Sequence, residues 1–179
     1  YENFESNPNL KTLTKLKNLW YKKNIKDNMK ILDIGCGYLN SSLWNNPKLE
    51  IDGIDSDIGI KNKFDEIKNN NKNLFIQDFA EKWDFQDDYI KRNINKGSCD
   101  KIYDIILMNF SIHYTLEKEF GFYTLMDEIN KRAEKGHTKL MISFIDSNVF
   151  FRDNNYIHFD DGGFFKKLET ITYNFYDTI

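Results

Sequence analysis

The hydrophobic positions of this chain form short apolar runs that alternate with segments of helical spacing. The apolar runs predict five β-strands, at 31–34, 49–54, 74–76, 105–108 and 139–145. Apolar residues three and four positions apart predict helices at 9–26, 58–67 and 121–135, and a helix opening at 41–44. Strands that read as nearly continuous apolar runs are typical of a sheet buried on both faces. We therefore expect an α/β domain with a mostly parallel central sheet and helices on both faces.

The two ends of the chain are less regular. Segment 9–26 predicts an amphipathic helix whose apolar positions are Leu10, Leu13, Leu16, Leu19 and Trp20. Lysines cover its other faces, so it is either a plain surface helix or a basic helix lying beside a cofactor or a phosphate. Segment 146–179 alternates aromatic and polar residues, and 170–176 is its most strand-like part.

Composition and charge exclude only a few classes of protein. A chain of 179 residues fits one domain, and a net charge of −3 does not indicate a general nucleic-acid binder. Cys36 and Cys99 lie far apart and belong to no metal-type pair, which predicts free thiols in a reducing compartment. No apolar run is long enough to span a membrane, and no signal peptide is visible. Because the chain starts at Tyr1, we expect a fragment of a larger polypeptide.

Acidic residues follow the first three predicted strands. The first strand ends at Asp33 and turns through Gly35 and Gly37, and the next two strands end at Asp55 and Asp78. Glycines let a backbone turn come close to a ligand, and ligands of open α/β sheets bind beyond the carboxyl ends of the strands. Any one of these acids is commonly a turn former. Three together can bind an amine, a ribose diol and an adenine amino group.

The segment Asp33-Ile34-Gly35-Cys36-Gly37 resembles motif I of the class I S-adenosylmethionine-dependent methyltransferases. The resemblance implies their Rossmann-like fold, with S-adenosylmethionine as cofactor and S-adenosylhomocysteine as product. It implies that Asp33, Gly35 and Gly37 bind the cofactor, that Asp55 holds the ribose hydroxyls and that Asp78 meets adenine. The chain departs from the pattern at Leu39, where the family usually has a third glycine.

A second segment, Met108-Asn109-Phe110-Ser111-Ile112-His113-Tyr114, is similar to one in mRNA cap guanine-N7 methyltransferases. The family segment reads Gln-Phe-small-aliphatic-His-Tyr, so Asn109 stands in the place of a glutamine. The resemblance implies that Asn109 contacts the cofactor. It also implies that Phe110, His113 and Tyr114 form the pocket for the guanine of the cap.

A third segment, Asn18-Leu19-Trp20-Tyr21-Lys22, resembles a stretch of the same family whose lysine pairs with the methionine carboxylate of the cofactor. Lys22 is the candidate for that role. The likeness to viral members implies one methyltransferase domain of a large DNA virus capping enzyme. Its parts would be a helical segment at 1–28, the cofactor-binding core at 29–146 and a partial C-terminal portion at 147–179.

The resemblance also implies partners and a location. The expected partners are 5′-capped mRNA (GpppN), other capping domains in the same polypeptide and a regulatory subunit, with no membrane. A viral enzyme would act in the cytoplasm, in a viral factory or virion, and a cellular one in the nucleus.

Methyl transfer to guanine N7 needs no general base, because N7 has a lone pair and no proton to lose. We therefore assign positioning, and not proton abstraction, to His113, Tyr114 and Phe110. No metal is expected. Two alternatives stay open: a class I methyltransferase that acts on another base or a small molecule, and a non-catalytic methyltransferase-like subunit.

Overall fold

The structure, a computed structural model, describes residues 8–67, 71–83, 101–143, 156–158 and 164–166. Its helices are α1 Pro8–Asn24, α2 Ser41–Trp44, α3 Ile60–Glu66 and α4 Gly121–Asn130, with a 3-10 helix at Ile112–Glu117. Its strands are β1 Lys30–Ile34, β2 Glu50–Asp55, β3 Lys72–Ile76, β4 Ile105–Asn109, β5 Lys139–Ser143, β6 Tyr156–His158 and β7 Phe164–Lys166.

The first five strands form one parallel sheet in the order β3-β2-β1-β4-β5. Strand β1 is central: Asp33 lies opposite Gly53 of β2 on one side and Leu107 of β4 on the other. The chain winds outward from β1 in one direction through β3 and then returns to start the other half at β4. This reversal is the topological switch point at which open α/β sheets bind ligands. The predicted fold class, a parallel sheet covered by helices, is confirmed.

Alternate residues of β1 face opposite sides of the sheet, as the pleat requires. Ile31 joins a buried cluster with Trp44 and Phe64 on one face. Leu32 and Ile34 join a second cluster on the other face, together with residues of α4. Burial of apolar side chains on both faces is the main stabilising contribution to such a sheet, at about 1.5–3 kcal/mol for each fully buried large side chain. The apolar residues at helical spacing from which the helix at 121–135 was predicted include Leu125, Met126 and Ile129, and all three are buried on α4.

The predicted apolar face of the first helix is wrong at Leu16 and Leu19, which are exposed, whereas Trp20 is partly buried against the core. Among the side chains of α1 that the structure describes, Tyr21 is the buried one. An aromatic side chain with a polar tip can fill core space and still bond a buried amide. Helical spacing of leucines therefore did not identify the side of α1 that faces the sheet.

Strand β3 begins two residues before the predicted start at 74. Lys72 is buried, and its ammonium donates to the backbone carbonyls of Asn46 and Leu49. Burial lowers the pKa of Lys72 to about 8. A charged residue is read as a loop signal in sequence, but a lysine whose buried ammonium donates to two backbone carbonyls can lie in a strand.

Other differences concern the ends of elements and the C-terminal region. Helix α4 ends at Asn130, earlier than the predicted 135, and the 3-10 helix was not predicted. Strands β6 and β7 pair antiparallel and were not predicted either. The predicted strand at 170–176 lies outside the described residues. Across the described ranges, no helix combines the length and apolar character that crossing a membrane requires.

Leu39 has the backbone conformation that the missing glycine would supply. Its φ is +51°, in the left-handed region that costs a residue with a side chain roughly 1–2 kcal/mol. Its side chain is 2% exposed and packs in the cluster with Trp44 and Leu43. Apolar burial offsets the backbone strain, so the turn keeps its path without the third glycine.

This balance predicts an unusual order of stabilities at position 39. Both Leu39→Ala and Leu39→Gly lose the packing, but only glycine is relieved of strain at positive φ. We expect Leu39→Gly to have the higher free energy of unfolding of the two variants, by about 1 kcal/mol. Denaturant melts of both variants measure it. Leu43→Ala and Leu43→Gly on α2 are the matched pair, for which the usual order, alanine above glycine, is expected. The same order at both positions would contradict the account.

Candidate functional site

A cavity of about 590 Å³ opens at the carboxyl ends of the strands. The loops that follow β1 and β4 leave the sheet in opposite directions at the switch point, and the cavity lies between them. Its lining residues are Gly35, Gly37, Tyr38, Asp55, Ser56, Asp57, Ile60, Asp78, Phe79, Asn109, Phe110, Ser111, Tyr114, Glu117 and Lys118.

The structure brings together most of the site residues predicted from sequence. Those that line the cavity are Gly35, Gly37, Asp55, Asp78, Asn109, Phe110 and Tyr114. Asp33, His113 and Lys22 do not line it. Asp33 is buried beneath the glycine turn, His113 is half-buried beside Tyr114, and Lys22 is exposed on α1.

Glycine suits positions 35 and 37 of the turn for two different structural reasons. Gly35 has φ +64°, and a Cβ there would lie 2.4 Å from Cβ of Ser111. Ser111 in turn donates its hydroxyl to the carbonyl of Ile34 at 3.0 Å, which closes the switch point from the β4 side. Gly37 has φ +49°, and a Cβ there would meet nothing within 4 Å. Gly35 therefore serves close packing, whereas Gly37 presents bare backbone to the open cavity.

Asp55, at the end of β2, joins the two loops that form one wall of the cavity. One carboxylate oxygen accepts the N–H of Gly37 at 2.8 Å, and the other accepts the N–H of Asp57 at 3.0 Å. Each oxygen of a carboxylate has a second lone pair, so further donors can still be bound. The two backbone bonds fix the direction in which those lone pairs point.

Asp33 is a buried carboxylate with an indole partner. Nε1 of Trp44 donates to its Oδ2 at 2.9 Å. Burial raises the pKa of Asp33 to about 6, and the Trp44 hydrogen bond and the charge of Lys17 oppose that rise. Lys17 on α1 is partly buried, and burial lowers its pKa while Asp33 raises it. The carboxylate of Asp33 on β1 and the ammonium of Lys17 on α1 thus interact electrostatically, although neither residue lines the cavity.

Asp78, at the end of β3, is part of an ion-pair network at the cavity mouth. Nζ of Lys118 lies 2.7 Å from its Oδ2, and the N–H of Ala80 donates to its Oδ1 at 2.8 Å. Partial burial raises the pKa of Asp78, but these two bonds outweigh burial and hold it below the usual value. Asp78 is therefore ionised at neutral pH, and Lys118 also bridges it to Glu81.

Asn109 links the cavity to helix α1 and to β5. Its Nδ2 donates to the hydroxyl oxygen of Tyr21 at 2.6 Å, and its Oδ1 accepts the hydroxyl of Ser143 at 3.0 Å. Both ends of the amide are held by the protein. The predicted contact with a cofactor would have to use the remaining lone pair or the second N–H of this amide.

Phe110 and Tyr114 give the cavity an aromatic side. Phe110 follows β4 with φ +53°, a strained conformation for an aromatic residue, and both rings are largely exposed. Strain of this kind persists where the surroundings impose it, commonly at binding sites. The ring of His113 lies 4.1 Å, between centroids, from that of Tyr114. Burial lowers the pKa of His113, so at neutral pH this imidazole is uncharged.

Sequence reasoning missed several lining residues. Ser111 lies inside the segment that was singled out, and Phe79 directly follows Asp78, so adjacency was the available signal for both. Tyr38 is the residue directly after Gly37 and is 56% exposed. Lys118 reaches the cavity from the end of the 3-10 helix, and no sequence pattern pointed to it. Within the described ranges, no group of three or more His, Cys, Asp or Glu side chains is arranged to hold a metal ion.

Comparison with solved structures identifies the fold. No protein-family model matches the sequence, and no curated protein matches it. The PH0226 protein of Pyrococcus horikoshii superposes with a TM-score of 0.59 at 17% identity, covering 90% of this chain and 73% of that chain. The N-methyltransferase NodS of Bradyrhizobium japonicum, in complex with S-adenosyl-L-homocysteine, superposes with a TM-score of 0.54 at 15% identity, covering 77% and 64%.

An S-adenosylmethionine-dependent methyltransferase of Clostridium acetobutylicum superposes with a TM-score of 0.53 at 16% identity, covering 83% of this chain and 56% of that chain. The chain thus spans less than two thirds of the last two proteins, and 34% of coclaurine N-methyltransferase. The fold is the Rossmann-like fold of class I methyltransferases. At these identities the likeness extends to the fold and not to substrate or activity.

The position of Asp33 predicts a stability that depends on pH. Its pKa of about 6 lies above the ordinary value of 3.8, so the folded state binds this proton more readily than the unfolded state. Stability therefore falls as pH rises from about 4 to 6, and the full cost is present above pH 6. We expect Asp33→Asn to gain stability relative to the natural protein, by roughly 1–2 kcal/mol more at pH 7.5 than at pH 4.5.

Denaturant unfolding at the two pH values measures this difference. Asp65→Asn, at an exposed position on α3, is the matched control and should show no comparable change between pH 4.5 and 7.5. If Asp33→Asn were less stable than the natural protein at both pH values, the buried charge of Asp33 would not be destabilising and the prediction would be wrong.

Proposed function

We propose that this chain is an S-adenosylmethionine-dependent methyltransferase and that its acceptor is N7 of the guanine cap of mRNA. The class I methyltransferase fold supports the first part. The second part rests on the resemblance of the segment 108–114 and on the place of its residues in the site. Capped mRNA, further capping domains and a regulatory subunit are the partners that this proposal predicts.

The cavity fits the methyl donor. Bare backbone at Gly37 leaves open space where a nucleoside can lie, and carboxylates stand at the ends of three neighbouring strands. We assign the donor's ammonium to Asp33, its ribose hydroxyls to Asp55 and its adenine amino group to Asp78. Asp55 and Asp78 line the cavity, and Asp33 is buried next to the glycine turn. When bound, S-adenosylmethionine supplies a methyl group on a sulfonium, which is an activated leaving group.

The observation that carries the proposal is that the glycine turn and the aromatic pair line one cavity. Gly37 and Asp55 lie on one side, and Phe110 and Tyr114 lie on the other. Aromatic walls stack on a planar base with little loss of side-chain freedom. A guanine held there would face the donor, and correct orientation of two reactants can supply up to roughly 7–11 kcal/mol of the barrier.

The protein's part in the reaction is orientation and not proton transfer. Phe110 and Tyr114 hold the base, and the neutral His113 beside Tyr114 is suited to hydrogen bonding with the acceptor or with the Tyr114 loop. No group in this set has to remove a proton, because guanine N7 reacts through its lone pair. The ion pair of Lys118 with Asp78 lies in the cavity lining, at the end to which this proposal assigns adenine.

A second acceptor class has support from the structural neighbours. Two neighbours with a TM-score of at least 0.50 are named as N-methyltransferases, NodS and the glycopeptide N-methyltransferase MtfA. A small-molecule or peptide amine would need its proton removed before or during transfer. A lone-pair acceptor such as guanine N7 does not, so the two classes differ in their need for a base.

A cap methylation assay tests the proposal. Full-length protein with labelled S-adenosylmethionine and GpppA should place the label on guanine N7. We expect Tyr114→Ala to reduce methylation roughly five- to 150-fold, as loss of a stacking contact of about 1–3 kcal/mol implies. His113→Ala should reduce it roughly two- to tenfold, as loss of a hydrogen bond of about 0.5–1.5 kcal/mol implies. Their affinity for S-adenosylhomocysteine should be retained. Tyr123→Ala, an exposed aromatic on α4 outside the cavity lining, is the matched control.

The outcomes separate the alternatives. Donor binding without cap methylation would leave the methyltransferase and overturn the cap acceptor. The absence of S-adenosylhomocysteine binding in calorimetry would instead favour a non-catalytic subunit.

The lysine that holds the donor's carboxylate is a separate prediction. The resemblance points to Lys22, which is exposed, whereas Lys17 is partly buried and interacts electrostatically with Asp33. On this evidence we propose Lys17. We expect Lys17→Met to weaken S-adenosylhomocysteine binding about tenfold or more, in line with 1.5–3 kcal/mol for a charged hydrogen bond, and Lys22→Met to change it little. Calorimetry on the two variants measures this, and the reverse result would favour Lys22.

A further inference from the structure

Trp44 is the hydrogen-bond partner of Asp33, and the surrounding core fixes its position. Trp44 ends α2, is fully buried, and directs its indole Nε1 at Oδ2 of Asp33. Its ring stands edge to face with Phe64 of α3, at 6.0 Å between centroids and 84° between planes. An indole fixed by neighbours in this way cannot turn its N–H elsewhere without moving the core.

A glycine in the neighbouring strand makes room for this indole. Gly53 lies opposite Asp33 in the β1–β2 register. A Cβ at Gly53 would come within 2.7 Å of Cη2 and Cζ2 of Trp44. Glycine weakens a central strand, so its presence in β2 needs a reason. Here the reason is that the indole occupies the space beside Asp33 that a side chain at position 53 would fill.

The hydrogen bond also selects one charge state of Asp33. The indole N–H is a donor only, so it favours the ionised carboxylate over the neutral acid. The titratable groups that face Asp33 are Lys17 and Tyr21 from α1, Cys36 from the glycine turn and Asp55 from β2. Among them Lys17 is the cation, and Trp44 is the neutral donor bonded directly to the carboxylate. Oδ1 of Asp33 has no hydrogen-bond partner among the described residues.

We propose that Trp44 is a positioning residue for cofactor binding: its N–H holds Oδ2 and keeps Asp33 ionised, with Oδ1 left for a cationic amine of the ligand. This inference rests on the proposed function, because the amine in question is the ammonium of S-adenosylmethionine or S-adenosylhomocysteine. Gly53 and Phe64 support it by fixing the ring. The positioning role of Trp44 needs its indole N–H, whereas filling the core needs only an aromatic ring.

Trp44→Phe separates the two roles, because it keeps an aromatic ring and removes the N–H. The pKa of Asp33 is measured directly by carbon NMR of its carboxyl group, without any ligand. We expect it to rise by about one unit or more in Trp44→Phe, as the loss of a hydrogen bond to a charged group implies. An unchanged Asp33 pKa in a folded Trp44→Phe protein would overturn the proposal.

Binding of S-adenosylhomocysteine between pH 5.5 and 8.5 gives the second readout. The affinity of the natural protein should fall as pH drops through about 6, where Asp33 takes up its proton. In Trp44→Phe the fall should begin at higher pH. For a shift of one unit, affinity should be lowered only about twofold at pH 7 but roughly eightfold at pH 5.5, and it should match the natural protein toward pH 8.5. A purely structural role predicts an equal loss at every pH, and that result would overturn the proposal.

Two controls keep the result interpretable. Asp33→Asn should bind weakly with no such pH dependence, and Phe64→Leu, which loosens the ring but keeps the N–H, should shift the profile less than Trp44→Phe. If the natural protein binds no S-adenosylhomocysteine, the proposed function fails. The carboxyl titration then still decides whether Trp44 controls the charge of Asp33.

Discussion

The pairing of β1 with β2 on one side and β4 on the other is the constraint on which the rest of this molecule depends. Because β1 lies in the middle of the sheet, the turn after it and the loop after β4 diverge and leave a crevice between them. Gly35 and Ser111 close the bottom of that crevice by direct packing, since no Cβ fits at position 35. The open space begins two residues further along the chain, at Gly37.

Several unfavourable local features lie around this crevice. Leu39 and Phe110 have positive φ, and Asp33 is a carboxylate in an apolar environment. Each lowers stability by itself, and each is held in place by well-packed neighbours. In proteins, violations of local preference that the surrounding packing sustains tend to mark functional positions. Apolar burial on both faces of the sheet offsets the free-energy cost of these features.

The sequence allowed the sheet, its parallel character and the carboxylates at three strand ends to be predicted, because apolar runs and glycine turns are local signals. It did not reveal Lys72 inside β3, since the carbonyls that bind its ammonium come from a distant loop. Nor did it reveal Trp44 as the partner of Asp33, or Lys118 as the partner of Asp78. These contacts join elements that only the fold brings together. The side of α1 that packs was also mispredicted, because Tyr21 is fixed by Asn109 and not by leucine spacing.

The hydrogen bond between Tyr21 and Asn109 connects the two parts of the cavity that the proposal assigns to donor and acceptor. Asn109 is the last residue of β4, Phe110 follows it, and Ser143 of β5 accepts the N–H of Phe110 through its carbonyl at 2.8 Å. Asn109, whose side-chain amide bonds Tyr21 of α1, therefore directly precedes Phe110 in the chain. Lys17 lies one turn before Tyr21 on α1, so the helix that carries the proposed carboxylate partner is anchored at the aromatic wall. A displacement of α1 would move Lys17 relative to Asp33 and disturb Phe110 through Asn109. In this architecture Lys17, the proposed partner of the donor's carboxylate, and the aromatic pair Phe110 and Tyr114, the proposed acceptor wall, are connected through one hydrogen-bonded unit.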